Sequence, residues 1–275
     1  MREIPWLPVI IDGAGGQSGM KDGVLKRYED TVQQSLYECG RTVVGRAVFW
    51  KIWQHGRVLI IPYSKFIKDR FQAGEVNAAS LDTGTSIRYG SGSVSRSWGP
   101  GILVDALRTN VVTFSPDTFE FIGPASPYFQ AAGFRAADVL LHELVHAGRH
   151  LGGEARSDAA LDGSMARYRN EAEYFAVLIA NIHMSEVGRS PPMGVNPPGA
   201  AYAGAPRTNI RADHGIGELP AALTLSQAFL AKPENFALVK KYWSQHPNLA
   251  PKIAASNASF NPVRTFKEWI PPGYR

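Results

Sequence analysis

The stretch DVLLHELVHA, residues 138–147, places three polar side chains inside an apolar run that is compatible with a helix. Two of them, His142 and His146, are four residues apart, so both imidazoles fall on one face of that helix. Imidazoles at this spacing can bind one zinc ion together. Glu143 comes directly after the first histidine, where it can act as general base toward a water that the metal activates. The stretch therefore predicts a helix that carries a hydrolytic zinc site.

The residues around this motif support the same interpretation. They are apolar on almost every side of the predicted helix: Val139, Leu140, Leu141, Leu144, Val145 and Ala147. A helix that is apolar all round is buried, and burying two histidines and a glutamate without partners costs free energy. A metal ion would supply those partners. The alternative is a buried helix whose histidines only form hydrogen bonds.

A catalytic zinc site uses three protein ligands and leaves the fourth position to water. His150 lies eight residues beyond His142, about 12 Å along the same helix, which is too far to share one ion. The metzincin pattern would require a histidine at position 152, but this residue is Gly152, and with Gly153 it indicates the end of the helix. The third ligand is therefore expected on another element.

The next predicted helix, residues 170–182, begins with two glutamates and continues as a long apolar run. This arrangement resembles the gluzincin class, in which a second helix supplies a glutamate as the third zinc ligand. Glu171 and Glu173 lie about 200° apart around the helix, so only one of them can face the metal. Glu173 shares its face with the small residues Ala176 and Ala180, which would allow close approach of the two helices. We favour Glu173, and Glu171 stays open as a carboxylate at the positive end of the helix dipole.

A second donor beyond the metal usually stabilises the oxyanion that forms during zinc-dependent hydrolysis. His214 comes after the second predicted helix, in the region where gluzincins often carry a histidine, tyrosine or arginine for this role. We therefore expect His214 to be catalytic. Tyr168 and Tyr202 are alternatives, and an ordinary surface loop around His214 is the simplest competing interpretation.

Taken together, the motifs of residues 108–216 resemble the zincin toxin or effector domains of bacterial secretion systems. The segments that carry the resemblance are HELVHA (142–147), EAEYFAV (171–177), NIHMSE (181–186) and RADH (211–214). The resemblance implies a zinc metallopeptidase with one Zn²⁺ per chain, which cleaves a protein or peptide in a target cell. It also implies synthesis in a bacterial cytoplasm, delivery by a type III or type VI machine, and a secretion carrier or an immunity protein as partner.

Length and composition set limits on the protein class. The chain has 275 residues, 44% of them hydrophobic, which suits one zincin-sized domain with a full core. Its net charge of +5 is spread without a Lys/Arg run, which argues against nucleic acid as a partner. No apolar run reaches the roughly 18 residues of a membrane span, and the N-terminal sequence lacks a signal-peptide pattern. A single cysteine, Cys39, cannot form an internal disulfide, so we expect folding in a cytoplasm with Cys39 buried.

The hydrophobic patterns predict a mixture of strands and helices, and the resemblance implies an α+β fold of zincin type. In this fold the active-site helix and the second ligand helix pack against a small mixed sheet with an antiparallel edge strand. Strands are predicted at 9–12, 57–63 and 109–115, and further helices at 23–37, 42–53, 223–230 and 233–244. The strand at 109–115 precedes the zinc helix, so we expect it to be the edge that binds an extended substrate.

We expect one catalytic domain over residues 1–275. Within it, residues 1–107 form an N-terminal sub-region, 108–246 the zinc-binding core, and 247–275 a proline-punctuated tail on the surface. Two other functions stay open. A zinc amidase acting on peptidoglycan peptides would use the same residues, and a non-catalytic zinc-binding module would use the histidines alone. The carboxylate at Glu143 favours an enzyme, because a site kept only for binding does not need it.

Overall fold

The computed structural model describes residues 2–13, 22–61, 88–89, 109–114, 136–154, 159–168, 170–188 and 222–272. These residues form a mostly helical α+β structure. The helices are α1 (Asp22–Gly40), α2 (Val43–His55), α3 (Ala136–Gly152), α4 (Glu171–Glu186), α5 (Leu225–Leu230), α6 (Pro233–Gln245), α7 (Ala250–Ala254) and α8 (Pro262–Glu268), with a 3₁₀ helix at Gly163–Tyr168. The strands are β1 (Arg2–Glu3), β2 (Val9–Ile11), β3 (Arg57–Ile61), β4 (Arg88–Tyr89) and β5 (Thr109–Thr113).

The strands form one small mixed sheet in the order β1-β2-β3-β5-β4. Its three longest strands are parallel, with Ile10 opposite Leu59 and Leu59 opposite Val111. The two-residue strands β1 and β4 pair antiparallel at the two edges. The mixed sheet and its antiparallel edges confirm the predicted sheet type. The expectation that 109–115 is itself the edge is wrong, because β4 pairs with β5 at Thr109 and Asn110 on the side away from β3.

Helix α3 is the centre of the packing. It is contacted by α1, α2, α4 and β5, and its residues from Ala137 to Arg149 are all buried. Such burial on every side is what its nearly continuous apolar sequence predicts. The helix ends at Gly152, and the next residue, Gly153, has φ +83°, a left-handed conformation that glycine adopts without steric cost. The predicted end of the helix is therefore confirmed, and His150 lies on the same continuous helix as His142.

The C-terminal residues contribute to the core, contrary to the expected surface tail at 247–275. Helices α7 and α8 occupy part of this segment, and Ile253, Phe260 and Val263 are buried. The prolines do not break the structure here, because Pro251 and Pro262 stand in the first turn of these helices. At that position proline is favourable, since its missing N–H would have no partner in the helix anyway.

Cys39 is buried, as expected, and its thiol donates to the backbone carbonyl of Ala137 over 3.2 Å. Among the described helices, none is long and apolar enough to span a membrane.

Candidate metal site

His142, His146 and Glu173 come together between helices α3 and α4. The Nε2 atoms of the two histidines are 3.2 Å apart, and their rings meet edge to face with centroids 4.8 Å apart. One oxygen of Glu173 is 3.4 Å from His142 Nε2, and the other is 3.2 Å from His146 Nε2. Both histidines are buried, and the Glu173 side chain is 17% exposed. The three side chains thus direct one potential ligand atom each toward a common point.

The spacing of these atoms fits a tetrahedral zinc ion. Ligands at about 2.0–2.1 Å from zinc, at tetrahedral angles, are separated from one another by about 3.3 Å. The two Nε2 atoms, 3.2 Å apart, lie at this value, and each of them has a different oxygen of Glu173 within 3.4 Å. With one ligand atom taken from each residue, the three atoms lie within 4.8 Å of one another. Two imidazoles and one carboxylate are also the donor types that zinc prefers.

The start of helix α4 explains how Glu173 reaches the histidines. Asn170 is the N-cap, and its side-chain oxygen accepts from the Glu173 N–H at 2.9 Å. This hydrogen bond fixes the first turn of the helix, and with it the backbone from which the Glu173 carboxylate points toward α3. Ala176 and Ala180 are fully buried on α4, as the prediction of close helix approach requires.

Glu171 has a different set of partners. Both of its oxygens accept from Lys241 Nζ on α6 at 2.6 Å, and Oε2 also accepts from the Ala159 N–H at 3.3 Å. Among the described residues, the group of three side chains that could hold a metal ion contains Glu173 and not Glu171. The two glutamates therefore face different sides of α4, as their angular separation predicts. Glu173 lies beside the histidines, and Glu171 binds Lys241 on α6.

The pKa shifts of Glu173 and His146 suit metal binding. Burial opposes ionisation of Glu173, but His142 and His146 outweigh it and hold the pKa of this carboxyl well below its usual range. Burial lowers the pKa of His146, and its hydrogen bond to Glu173 offsets this only in part. An ionised carboxylate and a neutral imidazole are the forms that coordinate a metal.

Glu143 is placed apart from the three converging atoms. Its side chain is buried, and its Oε2 has no hydrogen-bond partner within the described part of the chain. Burial, together with the smaller effect of repulsion from Glu173, raises the pKa of Glu143 well above the usual value. A carboxyl group with a raised pKa holds an accepted proton more readily than an ordinary carboxyl, which suits a general base that later acts as acid.

A second polar contact joins α3 and α4 beyond the triad. His183 Nε2 lies 3.6 Å from Asp138 Oδ1, and His183 Nδ1 is 2.8 Å from the hydroxyl of Thr42. Thr42 in turn caps helix α2 by accepting from the Gly45 N–H. All of these groups are buried, so their role is to join three helices. Sequence analysis does not assign this role to Asp138 or His183, although both are polar residues within apolar runs.

A third polar cluster lies beyond the triad toward the end of α3. Arg149 is buried, lies over the Phe175 ring at 4.9 Å and donates to His246 Nε2 at 3.2 Å. Glu154 pairs with Lys51, and its Oε1 is 3.5 Å from His246 Nδ1. Burial, then Arg149 and Lys51, lowers the pKa of His246 to about 3. No sequence pattern points to this cluster, because its members come from separate segments of the chain.

The other predicted site residues are not at the triad or are not described. His214 and Tyr202 lie outside the described residues, so the oxyanion role of His214 stays a prediction. Tyr168 is buried and packs edge to face on Tyr174 with ring centroids 5.0 Å apart.

No protein-family model, curated protein or solved structure matches this chain. The assignment of a function therefore rests on the residues of the site and their geometry.

Proposed function

We propose that the protein is a zinc-dependent metallopeptidase of zincin type, with one Zn²⁺ held by His142, His146 and Glu173. The observation that carries the proposal is the convergence of His142, His146 and Glu173: the two Nε2 atoms are 3.2 Å apart, each has a Glu173 oxygen within 3.4 Å, and the buried Glu143 with its raised pKa is on the same helix as the histidines. Three protein ligands leave the fourth tetrahedral position free, which distinguishes a catalytic zinc site from a closed structural one.

The residues of the chain have distinct tasks in this mechanism. Bound zinc would supply a Lewis acid that polarises the scissile carbonyl and acidifies water. Glu143 accepts the proton of the attacking water at its carboxylate and transfers it to the leaving amine nitrogen. Its raised pKa favours holding the proton between the two steps, so that the same group serves in both. His214 is proposed to donate a hydrogen bond to the oxyanion.

The resemblance of the motifs on α3 and α4 to secreted effector domains supports a protein of a target cell as the substrate. It supports delivery by a secretion system for the same reason. A non-catalytic zinc-binding module does not account for the buried Glu143 Oε2, which has no hydrogen-bond partner among the residues that the structure describes, whereas a general base accounts for it.

The proposal is tested with Glu143→Gln. Both the wild-type protein and the variant are loaded with zinc, freed of excess metal and incubated with a proteome-derived peptide library, and new termini are identified by mass spectrometry. We expect one zinc per chain in both proteins and cleavage only by the wild type, because Glu143 is a base and not a ligand. Glu268→Gln, on the exposed surface of α8, is the matched control and is expected to cleave normally.

Three results would contradict the proposal in different ways. Equal cleavage by Glu143→Gln would remove the general-base role. Zinc binding without cleavage by the wild type would favour the non-catalytic module. Cleavage of muropeptides in a parallel incubation, with no cleavage of the peptide library, would favour the peptidoglycan amidase.

A further inference from the structure

A groove of about 600 Å³ lies on a different part of the molecule from the metal site. It is formed by the connection between β1 and β2, the end of α1 and one face of α2, and we refer to it as the aromatic groove. Its aromatic walls include Trp6, Tyr37, Trp50 and Trp53. None of the three residues of the metal triad lines it, so a role for this groove is independent of the proposed function.

The exposure of these rings is unusual. Trp6 is 68% and Trp53 70% exposed, and Trp6 stacks on Tyr37 with ring centroids 6.2 Å apart and an interplanar angle of 20°. Most of the surface of the groove is apolar, with aliphatic residues between the rings. Tryptophan, tyrosine and arginine are the residue types that dominate binding energy at protein interfaces, and grouped exposure of large apolar side chains marks interaction sites.

The charged residues that line the aromatic groove, among those described, have one sign. Arg41 and Arg46 line it, and no acidic residue is among the lining residues that the structure describes. The ammonium group of Lys252 lies 4.4 Å from the centre of the Trp50 ring. Arg46 is held in place because its guanidinium donates to the carbonyl oxygens of Gly40 and Arg41, each at 3.1 Å. Positive groups beside an apolar surface complement carboxylates attached to an apolar segment.

We propose that the aromatic groove binds an amphipathic segment of an acidic partner protein. The apolar side chains of this segment enter between Trp6 and Trp53, and its carboxylates face Arg41 and Arg46. Single-stranded nucleic acid fits less well, because it needs a continuous basic track for its backbone, whereas the basic residues among the described lining are two arginines at one end of α1 and the start of α2. Recognition of an amphipathic helix through apolar anchors in a groove is a common mode of peptide binding.

The test is selection of a phage-displayed library of random 16-residue peptides on the full-length protein. We expect enriched peptides to carry net negative charge and at least two large apolar residues. Synthetic versions, measured by fluorescence anisotropy, are expected to lose at least about tenfold in affinity with Trp53→Ala and with Arg41→Glu. Matched controls are Ile270→Ala, an exposed apolar residue outside the groove, and Lys26→Glu, an exposed cation on α1; both are expected to bind as the wild type does.

Several results would overturn the proposal. Enriched peptides that are neutral or basic would remove the acidic partner, and so would an equal loss of affinity with Lys26→Glu and Arg41→Glu. A 16-nucleotide oligothymidine that binds more tightly than the peptides, and loses binding with Trp53→Ala, would assign the groove to nucleic acid. A dimer in sedimentation experiments that Trp53→Ala dissociates would assign it to a second copy of the chain. Failure to enrich any peptide sensitive to Trp53→Ala would leave the groove without a peptide-binding role. Circular dichroism of each variant separates these outcomes from misfolding.

Discussion

Replacing Glu173 with glutamine is expected to abolish the stabilisation of this protein by zinc. Glutamine preserves the size of the side chain but removes the anionic oxygens that lie 3.2 and 3.4 Å from the two histidine Nε2 atoms. A ligand that binds only the native state, at a free concentration 100 times its Kd, stabilises that state by about 2.7 kcal/mol. For a chain of 275 residues this corresponds to a rise in Tm of roughly 5 °C.

The assay is thermal unfolding, measured by circular dichroism, of protein freed of metal by a chelator and then titrated with zinc. Wild type is expected to show the full rise in Tm and Glu173→Gln little or none. Glu171→Gln is the matched control, two residues away on the same helix; it is expected to start from a lower Tm, because its pairing with Lys241 is weakened, and to rise with zinc as the wild type does. A full rise in Glu173→Gln together with its loss in Glu171→Gln would refute the reasoning and make Glu171 the ligand.

Three further predictions concern residues around the site. The pKa of His246 is about 3 in the folded protein, so the native state resists protonation there, whereas the unfolded state gains a proton below about pH 6.5. The free energy of unfolding therefore decreases as the pH falls from about 6.5 to about 3, by about 1.4 kcal/mol per pH unit. Urea denaturation from pH 7 to pH 5 is expected to show a shallower loss in His246→Gln, and identical slopes would contradict the assignment. Lys241→Met is expected to cost about 1–2 kcal/mol, less than for a fully buried pair because Lys241 is partly exposed. Adding Glu171→Gln to this variant is expected to recover part of that loss in a double-mutant cycle, and strict additivity would show that the two side chains do not interact. His214→Ala is expected to lower kcat and kcat/KM together by about 10²–10³ with unchanged zinc content, whereas loss of zinc would make His214 a ligand.

The elements that position the metal site are predictable from the sequence because their signals are local. The spacing of His142 and His146 needs only helical geometry, and a helix of that length and apolarity is buried. The small residues beside Glu173 favour it over Glu171, because they allow close approach of two helices, and the structure places Glu173 beside the histidines. Each of these inferences uses residues within one or two turns of a single helix.

Other features depend on residues that are distant in the sequence. Strand β4 has only two residues, Arg88 and Tyr89, too few for any alternation of polar and apolar side chains, so the sequence points to β5 as the edge instead. Lys241 pairs with Glu171 across 70 positions of the chain, and no spacing rule connects them. The prediction of a surface tail at 247–275 fails for a local reason. From the sequence alone, Pro251 and Pro262 could either begin a helix or interrupt one, and only the conformation of the residues after them distinguishes the two cases.

The two polar contacts between α3 and α4 have a consequence for how this protein can change through mutation. Asp138 contacts His183, and His146 contacts Glu173. Residue numbers therefore increase along α3 while those of the contacting residues on α4 decrease, as in an antiparallel helix pair. Insertion of a single residue in α4 between Glu173 and His183 would turn the rest of the helix by about 100° and shift it by about 1.5 Å, so that only one of the two contacts could persist. We expect this interval of ten positions to be intolerant of insertions and deletions, even where individual side chains in it can be exchanged for others of similar volume.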